Sequence, residues 1–174
     1  IKLLLAGALL LPVMVDAFPP APHHAFYGMV RDEFGRPLEG EKVEVLFETS
    51  TGRVIRADVG PGTTPGINYW LKVPMDSGAT ANLYHPAAMR MAMPFKIRVL
   101  IGARVYLPIE MIGDLAKIGQ PGEETLLNLT LGEDTDGDGL PDAWERALLA
   151  QGKNLSDINP GDDTDGDGMS NLDE

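Results

Sequence analysis

"KVEVLFE" (residues 42–48) sets apolar and charged side chains on alternate positions, with Val43, Val45 and Phe47 on one face and Glu44 and Glu48 on the other. Side chains alternate across a strand, so this period of two predicts a β-strand with one face in a core and one in water. The same character recurs on both sides, in short segments divided by turn chemistry. "AFYGMVR" (25–31) runs into a turn built from Asp32, Gly35 and Pro37. "RVIRADV" (53–59) follows "TSTG", and "INYWLKV" (67–73) follows the glycine-proline loop "PGTTPG". "FKIRVL" (95–100) and "ARVYLP" (103–108) flank a tight turn at Ile101-Gly102, and "TLLNLTL" (125–131) aligns Leu127, Leu129 and Leu131. About seven short strands with no long helix between them predict a mainly β fold, an immunoglobulin-like β-sandwich over residues 25–132, with a small barrel as the competing architecture. "SGATANLYHPAAMRMAMP" (77–94) reads as a long loop with one helical turn, and "PIEMIGDLAKIG" (108–119) as a partly helical connection.

Composition limits what this scaffold can do. With 174 residues and 44% hydrophobic content, the chain can bury a core and carry a small appendage. Cysteine is absent, which excludes disulfides, thiolate metal sites and thiol catalysis. The net charge of −12 is concentrated at one end, since residues 133–174 hold 13 of the 26 acids against Arg146 and Lys153 alone, a net of −11. Nucleic acid is a poor partner for such a surface, whereas cations or basic proteins are natural attractors. At the other end, Lys2, the 13-residue apolar run Leu3–Val15 and "VDA" predict an export signal over residues 1–17, cleaved after Ala17. That run is too short to span a bilayer, so the mature chain is expected to be secreted or cell-surface, without a membrane span. A Pro-rich extended lead (18–24) follows. The start at Ile1 and the end inside a motif lead us to expect a segment of a longer protein.

The acidic end is highly patterned. "DTDGDGLPDAWE" begins at Asp134 and "DTDGDGMSNLDE" at Asp163. Carboxylates on alternate residues repel one another unless a cation offsets the charge. A twelve-residue calcium loop places oxygen ligands at positions 1, 3, 5, 7, 9 and 12, with glycine at 6 for the sharp turn. The first loop fills these places with Asp134, Asp136, Asp138, the Leu140 carbonyl, Asp142 and Glu145, with Gly139 at the turn. The second supplies Asp163, Asp165, Asp167, the Met169 carbonyl, Asn171 and Glu174, with Gly168 at the turn. Two Ca2+ sites are therefore expected within residues 133–174. Magnesium fits less well, because it demands a tighter octahedron and retains its waters. Between the loops, Ala143–Gln151 carries helix chemistry with Gly152 as a stop, and "SDINPGD" leads into the second loop.

These loops resemble the calcium repeats of bacterial thrombospondin type 3-like and dockerin-like (EF-hand-like) segments. "FYGMVRDEFGRPL" is similar to the opening strand and turn of carboxypeptidase-regulatory-like and other immunoglobulin-like modules, through Gly28, Gly35, Pro37 and Leu38. Together they resemble secreted, multi-module bacterial surface proteins. The resemblance implies an accessory module and, from the dockerin side, a protein-docking role within a polysaccharide-degrading assembly. Ala143 and Trp144 in the late positions of the first loop depart from the dockerin pattern.

Other candidates have simpler readings. Met89, Met91 and Met93 could offer thioethers to copper, but methionine more often fills gaps in packing. His23 and His24 in the Pro-rich lead are expected to be solvent-exposed, and His85 has no second ligand at metal spacing. Glu110 and Asp114 are a candidate carboxylate pair, but no nucleophile, base and orienting acid occur in a recognised arrangement, so no enzyme is expected. The expectation is a calcium-rigidified structural or adhesive module, with a protein, cell-surface or extracellular-matrix partner. The alternative to docking is carbohydrate binding by the sandwich, with Trp70 and the tyrosines as stacking platforms, which an exposed Trp70 would favour.

Overall fold

Nine strands form in the computed structural model, which describes residues 20–38, 42–62, 64–113, 119–149 and 154–173. The export signal, Asp114 and Glu174 lie outside the described residues. The strands are β1 (Ala21–Gly28), β2 (Val30–Asp32), β3 (Val43–Thr49), β4 (Val54–Val59), β5 (Tyr69–Met75), β6 (Phe95–Ile101), β7 (Arg104–Tyr106), β8 (Pro108–Gly113) and β9 (Glu124–Leu131). The mainly β expectation holds. The count rises from seven to nine because "AFYGMVR" divides at Met29 and "PIEMIG" forms β8 rather than part of a helix. β-Branched Ile109 and Ile112 suit that strand, and pairing from Pro108↔Leu131 to Gly113↔Leu127 fixes it on β9. Ala21–His24, in the Pro-rich lead, belong to β1.

Pairing runs β2–β9–β1–β5–β4–β3–β6–β7, and β8 adds to β9. Where β9 meets β2 in parallel, β8 occupies its opposite edge, as the two partners of Leu129, Val30 and Met111, show. These contacts join what would be two layers into one continuous curled sheet, a half-barrel.

The alternation read from the sequence sets the inside of the curl. Val43, Val45 and Phe47 meet Leu71, Val73, Val99, Leu127 and Leu129 in one core. Phe47 stacks on Phe26 and Phe95 at centroid separations of 5.3 and 5.0 Å. Tyr69 is buried there with its hydroxyl donating to the Leu127 carbonyl oxygen at 2.6 Å, so its polar tip is satisfied. His24 is also buried rather than exposed as expected, its ring nitrogens 2.9 Å from the Gln120 carbonyl and 3.0 Å from the Thr125 hydroxyl.

The long loop after β5 contains no helical turn among the described residues; it has tight turns in which Ala88 N donates to the His85 carbonyl and Met93 N to the Arg90 carbonyl. It is organised around buried Asp76. Its carboxylate accepts from Gly78 N, Tyr84 N and Arg90 Nε, and Arg90 also donates to the carbonyls of Thr80, Ala81 and Asn82. Met89 is buried in the core while Met91 is 61% exposed, so the three methionines do not form a common cluster. No helix among the described residues is long and apolar enough to cross a membrane.

Candidate metal centre

The chain enters the first acidic loop directly from β9. Asp142 N donates to the Glu133 carbonyl at 2.8 Å, which closes the loop at its base. Helix α1 (Asp142–Leu148) then leaves it. It is shorter than the Ala143–Gln151 expected; Leu149 ends it in an extended conformation, and residues 150–153 lie outside the described residues.

Short side chains form the frame. Asp134 accepts from Gly137 N at 2.7 Å and Gly139 N at 3.1 Å, and Asp138 accepts from Leu140 N at 2.8 Å. Asp142 accepts from Thr135 N and its hydroxyl, both at 2.7 Å, and from Arg146 at 2.7 Å. Burial pushes Asp142 up, but the Thr135 bonds and the Arg146 charge hold it below the usual carboxylate range.

The second loop repeats the pattern. Asp163 accepts from Gly166 N and Gly168 N, Asp167 from Met169 N, and Asn171 Oδ1 from Thr164 N. Its entry through "SDINPGD" is a short 3-10 turn, Leu155–Asp157, in which Asn154 N donates to the Asp157 carboxylate at 2.8 Å and Asp157 N to the Asn154 carbonyl at 3.1 Å. In each loop the three alternate aspartates, Asp134, Asp136 and Asp138 or Asp163, Asp165 and Asp167, bring one carboxylate oxygen apiece within 4.8 Å of the others.

Glu145 separates this arrangement from an ordinary acidic turn. It is fully buried, and neither carboxylate oxygen has a hydrogen-bond partner among the described residues. Burial, then repulsion from Asp136, Asp138, Asp142 and Asp134, pushes its pKa up to about 7. Asp138 is also raised, chiefly by burial and then by Asp136 and Asp134. A buried carboxylate is costly unless a positive charge meets it. A cation held by Asp134, Asp136, Asp138, Glu145 and the Leu140 carbonyl would supply that charge and relieve the repulsion.

The joint of only Gly132 and Glu133 predicts a first loop held against the end of the last strand, but nothing in the sequence points to the loops' partners elsewhere on the sheet. The Gly139 carbonyl accepts from Leu107 N at 3.3 Å, and Gly137 lies against the Arg104 side chain. Asp173 pairs with Lys96 at 2.7 Å and Arg98 at 2.6 Å, and Arg98 also donates to the Leu172 carbonyl. Lys96 and then Ser170 lead the contacts that hold Asp173 down at about 2. Only the Asp142–Arg146 pair, at i,i+4 spacing, had a legible signal. Of the weaker candidates, Glu110 pairs with Arg31 and Thr130, and His85 Nδ1 accepts from Ala87 N.

Residues 134–148 match the family model of the bacterial TSP3 repeat. No curated protein and no solved structure matches the chain.

Proposed function

We propose that the chain is an exported, calcium-binding structural module in which Ca2+ rigidifies the C-terminal repeats against a β domain of immunoglobulin-like type. The observation that carries this reading is Glu145, whose buried, unpartnered carboxylate stands beside three converging aspartates. Calcium suits the set because it takes six to eight oxygens in a flexible geometry. Asp134, Asp136, Asp138 and Glu145 supply carboxylate oxygens, Leu140 its carbonyl, and Asp142 braces the loop through Thr135 while contributing at the ninth place through water. The second loop repeats the same framework with Asp163, Asp165, Asp167, Met169 and Asn171, and with Glu174 as its twelfth residue. The TSP3 match at residues 134–148 supports the calcium assignment of the first loop.

Export is proposed from the pattern of residues 1–17, and a non-catalytic role from the missing arrangement of nucleophile, base and orienting acid. The module would act as a stiff joint, because its first loop follows β9 almost without a linker and both loops contact the sheet. Calorimetric titration of calcium into the metal-free chain tests the reading. Two binding events are expected, and Glu145→Gln should remove or strongly weaken one of them. Absence of calcium binding at millimolar concentration would overturn it.

A further inference from the structure

Tyr27 and Trp70 face one another across β1 and β5, with ring centroids 4.9 Å apart and planes 17° from parallel. They stand on the outside of the curl, because their neighbours Phe26, Tyr69 and Leu71 point into the core. The Val59↔Tyr69 register puts Asp58 beside Trp70 on the flank away from Tyr27. One face of the indole is thus covered by Tyr27. On the Asp58 flank Trp70 lines a cavity of about 600 Å³ together with Asp58, Gly60, Gly62, Thr64, Ile67 and Asn68, a size ordinary for small-ligand sites. Trp70 remains 43% exposed.

The cleft is built rather than incidental. Gly60 N donates to the Asn68 carbonyl at 2.9 Å, which pins the ends of the loop together. The Asn68 side chain is fixed in turn, accepting from Val30 N at 2.8 Å and donating to the Val30 carbonyl at 2.9 Å. Asp58 has no ion pair or side-chain hydrogen bond among the described residues, so its carboxylate is free to accept.

We propose that this cleft binds a neutral carbohydrate chain, with one pyranose ring against the free face of Trp70 and its hydroxyls donating to Asp58. A pyranose presents C–H groups on a flat face and hydroxyls around its rim. The negative face of the indole complements the first, and a free carboxylate complements the second. A protein partner would call for a wider apolar patch; Leu126 extends the aromatic pair beyond Tyr27, but on the cleft side Arg56, Asp58 and Lys72 are charged and exposed. The site lies on the sheet and does not depend on the calcium loops.

The test uses the full chain in calcium with Trp144→Phe, which leaves Trp70 as the only tryptophan. Cellohexaose, xylohexaose, mannohexaose and chitohexaose serve as probes. At least one should change Trp70 emission saturably. In calorimetry Trp70→Ala should weaken that binding about tenfold or more, a loss of about 1.4 kcal/mol. Asp58→Asn should weaken it severalfold and Trp70→Phe should retain part of it, both with little change in melting midpoint; Trp70→Ala also loses the Tyr27 stack, so its binding is read well below its own midpoint. The proposal is overturned if no saccharide gives a saturable signal, or if Trp70→Ala binds as well as the parent. It is equally overturned if sedimentation shows self-association that Trp70→Ala abolishes, since the face would then be a contact between copies.

Discussion

A carboxylate buried without a hydrogen bond costs several kcal/mol unless a positive charge meets it, and Glu145 is in that state beside four other acids. Glu145→Gln should therefore act in opposite directions with and without metal. It should weaken calcium at the first loop while leaving the metal-free chain as stable or more so, which melting curves in chelator and in calcium would separate. The pH dependence follows from the same group. Its pKa is raised from 4.5 to about 7, so its contribution to metal-free stability is full below about pH 4.5 and is lost as pH rises through 7. Asp138 shifts in the same direction and Asp142 in the opposite one, its contribution fading as pH falls below the carboxylate range. Calcium needs the ionised glutamate, so affinity at the first loop should fall below pH 7, by up to about tenfold per unit for one competing proton. Titrations at pH 5.5 and 7.5 check this, and equal affinities would remove Glu145 from the ligand set. The twelve-residue spacing made Glu145 legible as a ligand in the sequence, because oxygen geometry around the ion fixes that spacing locally. Its complete burial was not legible, since that depends on how α1 and the rest of the first loop close around it.

The two loops share a framework but differ in what surrounds it. Gly139 and Gly168 have φ of +103° and +96°, a region that costs other residues about 1–2 kcal/mol. A side chain at Gly139 would in addition collide with the Val105 carbonyl on β7, whereas Gly168 faces open space. Gly139→Ala should therefore lower calcium affinity and stability more than Gly168→Ala, and equal losses in paired titrations would show that the first loop is not held by the sheet. The same dependence on tertiary partners explains which elements could be read from the chain. β3 was legible because Val43, Val45 and Phe47 alternate with acids. β8 was not, because Ile109, Met111 and Ile112 break the period of two and remain partly exposed; its pairing with β9 decides its conformation. The single curled sheet was illegible for a related reason, since parallel pairing of β1 and β2 with β9 joins residues about a hundred positions apart. Arg90 gives another element-scale test. It meets the buried Asp76 and three loop carbonyls, so Arg90→Ala should destabilise the β domain by about 1–3 kcal/mol, the cost of leaving Asp76 short of one partner while Gly78 N and Tyr84 N still serve it. A thermal shift no larger than that of Arg53→Ala, an exposed control, would show that the loop is held by other contacts.

Across the whole molecule, charge and apolar surface are divided unevenly. The β domain owns the continuous core, whereas residues 133–174 carry a net of −11 and bury few apolar side chains, among them Leu140 and Ile158. Ordering each residue costs about 1–2 kcal/mol of backbone entropy, so this quarter needs positive charge, which the lysine and arginines of the sheet supply in part and the proposed calcium ions would complete. Lys96 and Arg98 on β6 meet Asp173, and Trp144 of α1 borders a cleft of about 600 Å³ with Phe95 and Ile109. These contacts hold the repeats against the domain once they are folded, but the Asp173 pairs are partly exposed and cannot fold the repeats alone. Calcium that binds only the folded form adds about 2.7 kcal/mol per site at a hundredfold excess over the dissociation constant. Limited proteolysis should therefore divide the chain in chelator, with cuts between Gly132 and Gly161 and the β domain intact and still melting cooperatively. In millimolar calcium the same segment should resist. With Trp70→Phe as background, Trp144 emission should then move to the blue as α1 closes on the cleft. Equal cleavage with and without calcium would reduce the repeats to an acidic tail. Loss of the β domain in chelator would instead show that the sheet needs the ion-filled loops to fold, and that the two parts are one cooperative unit.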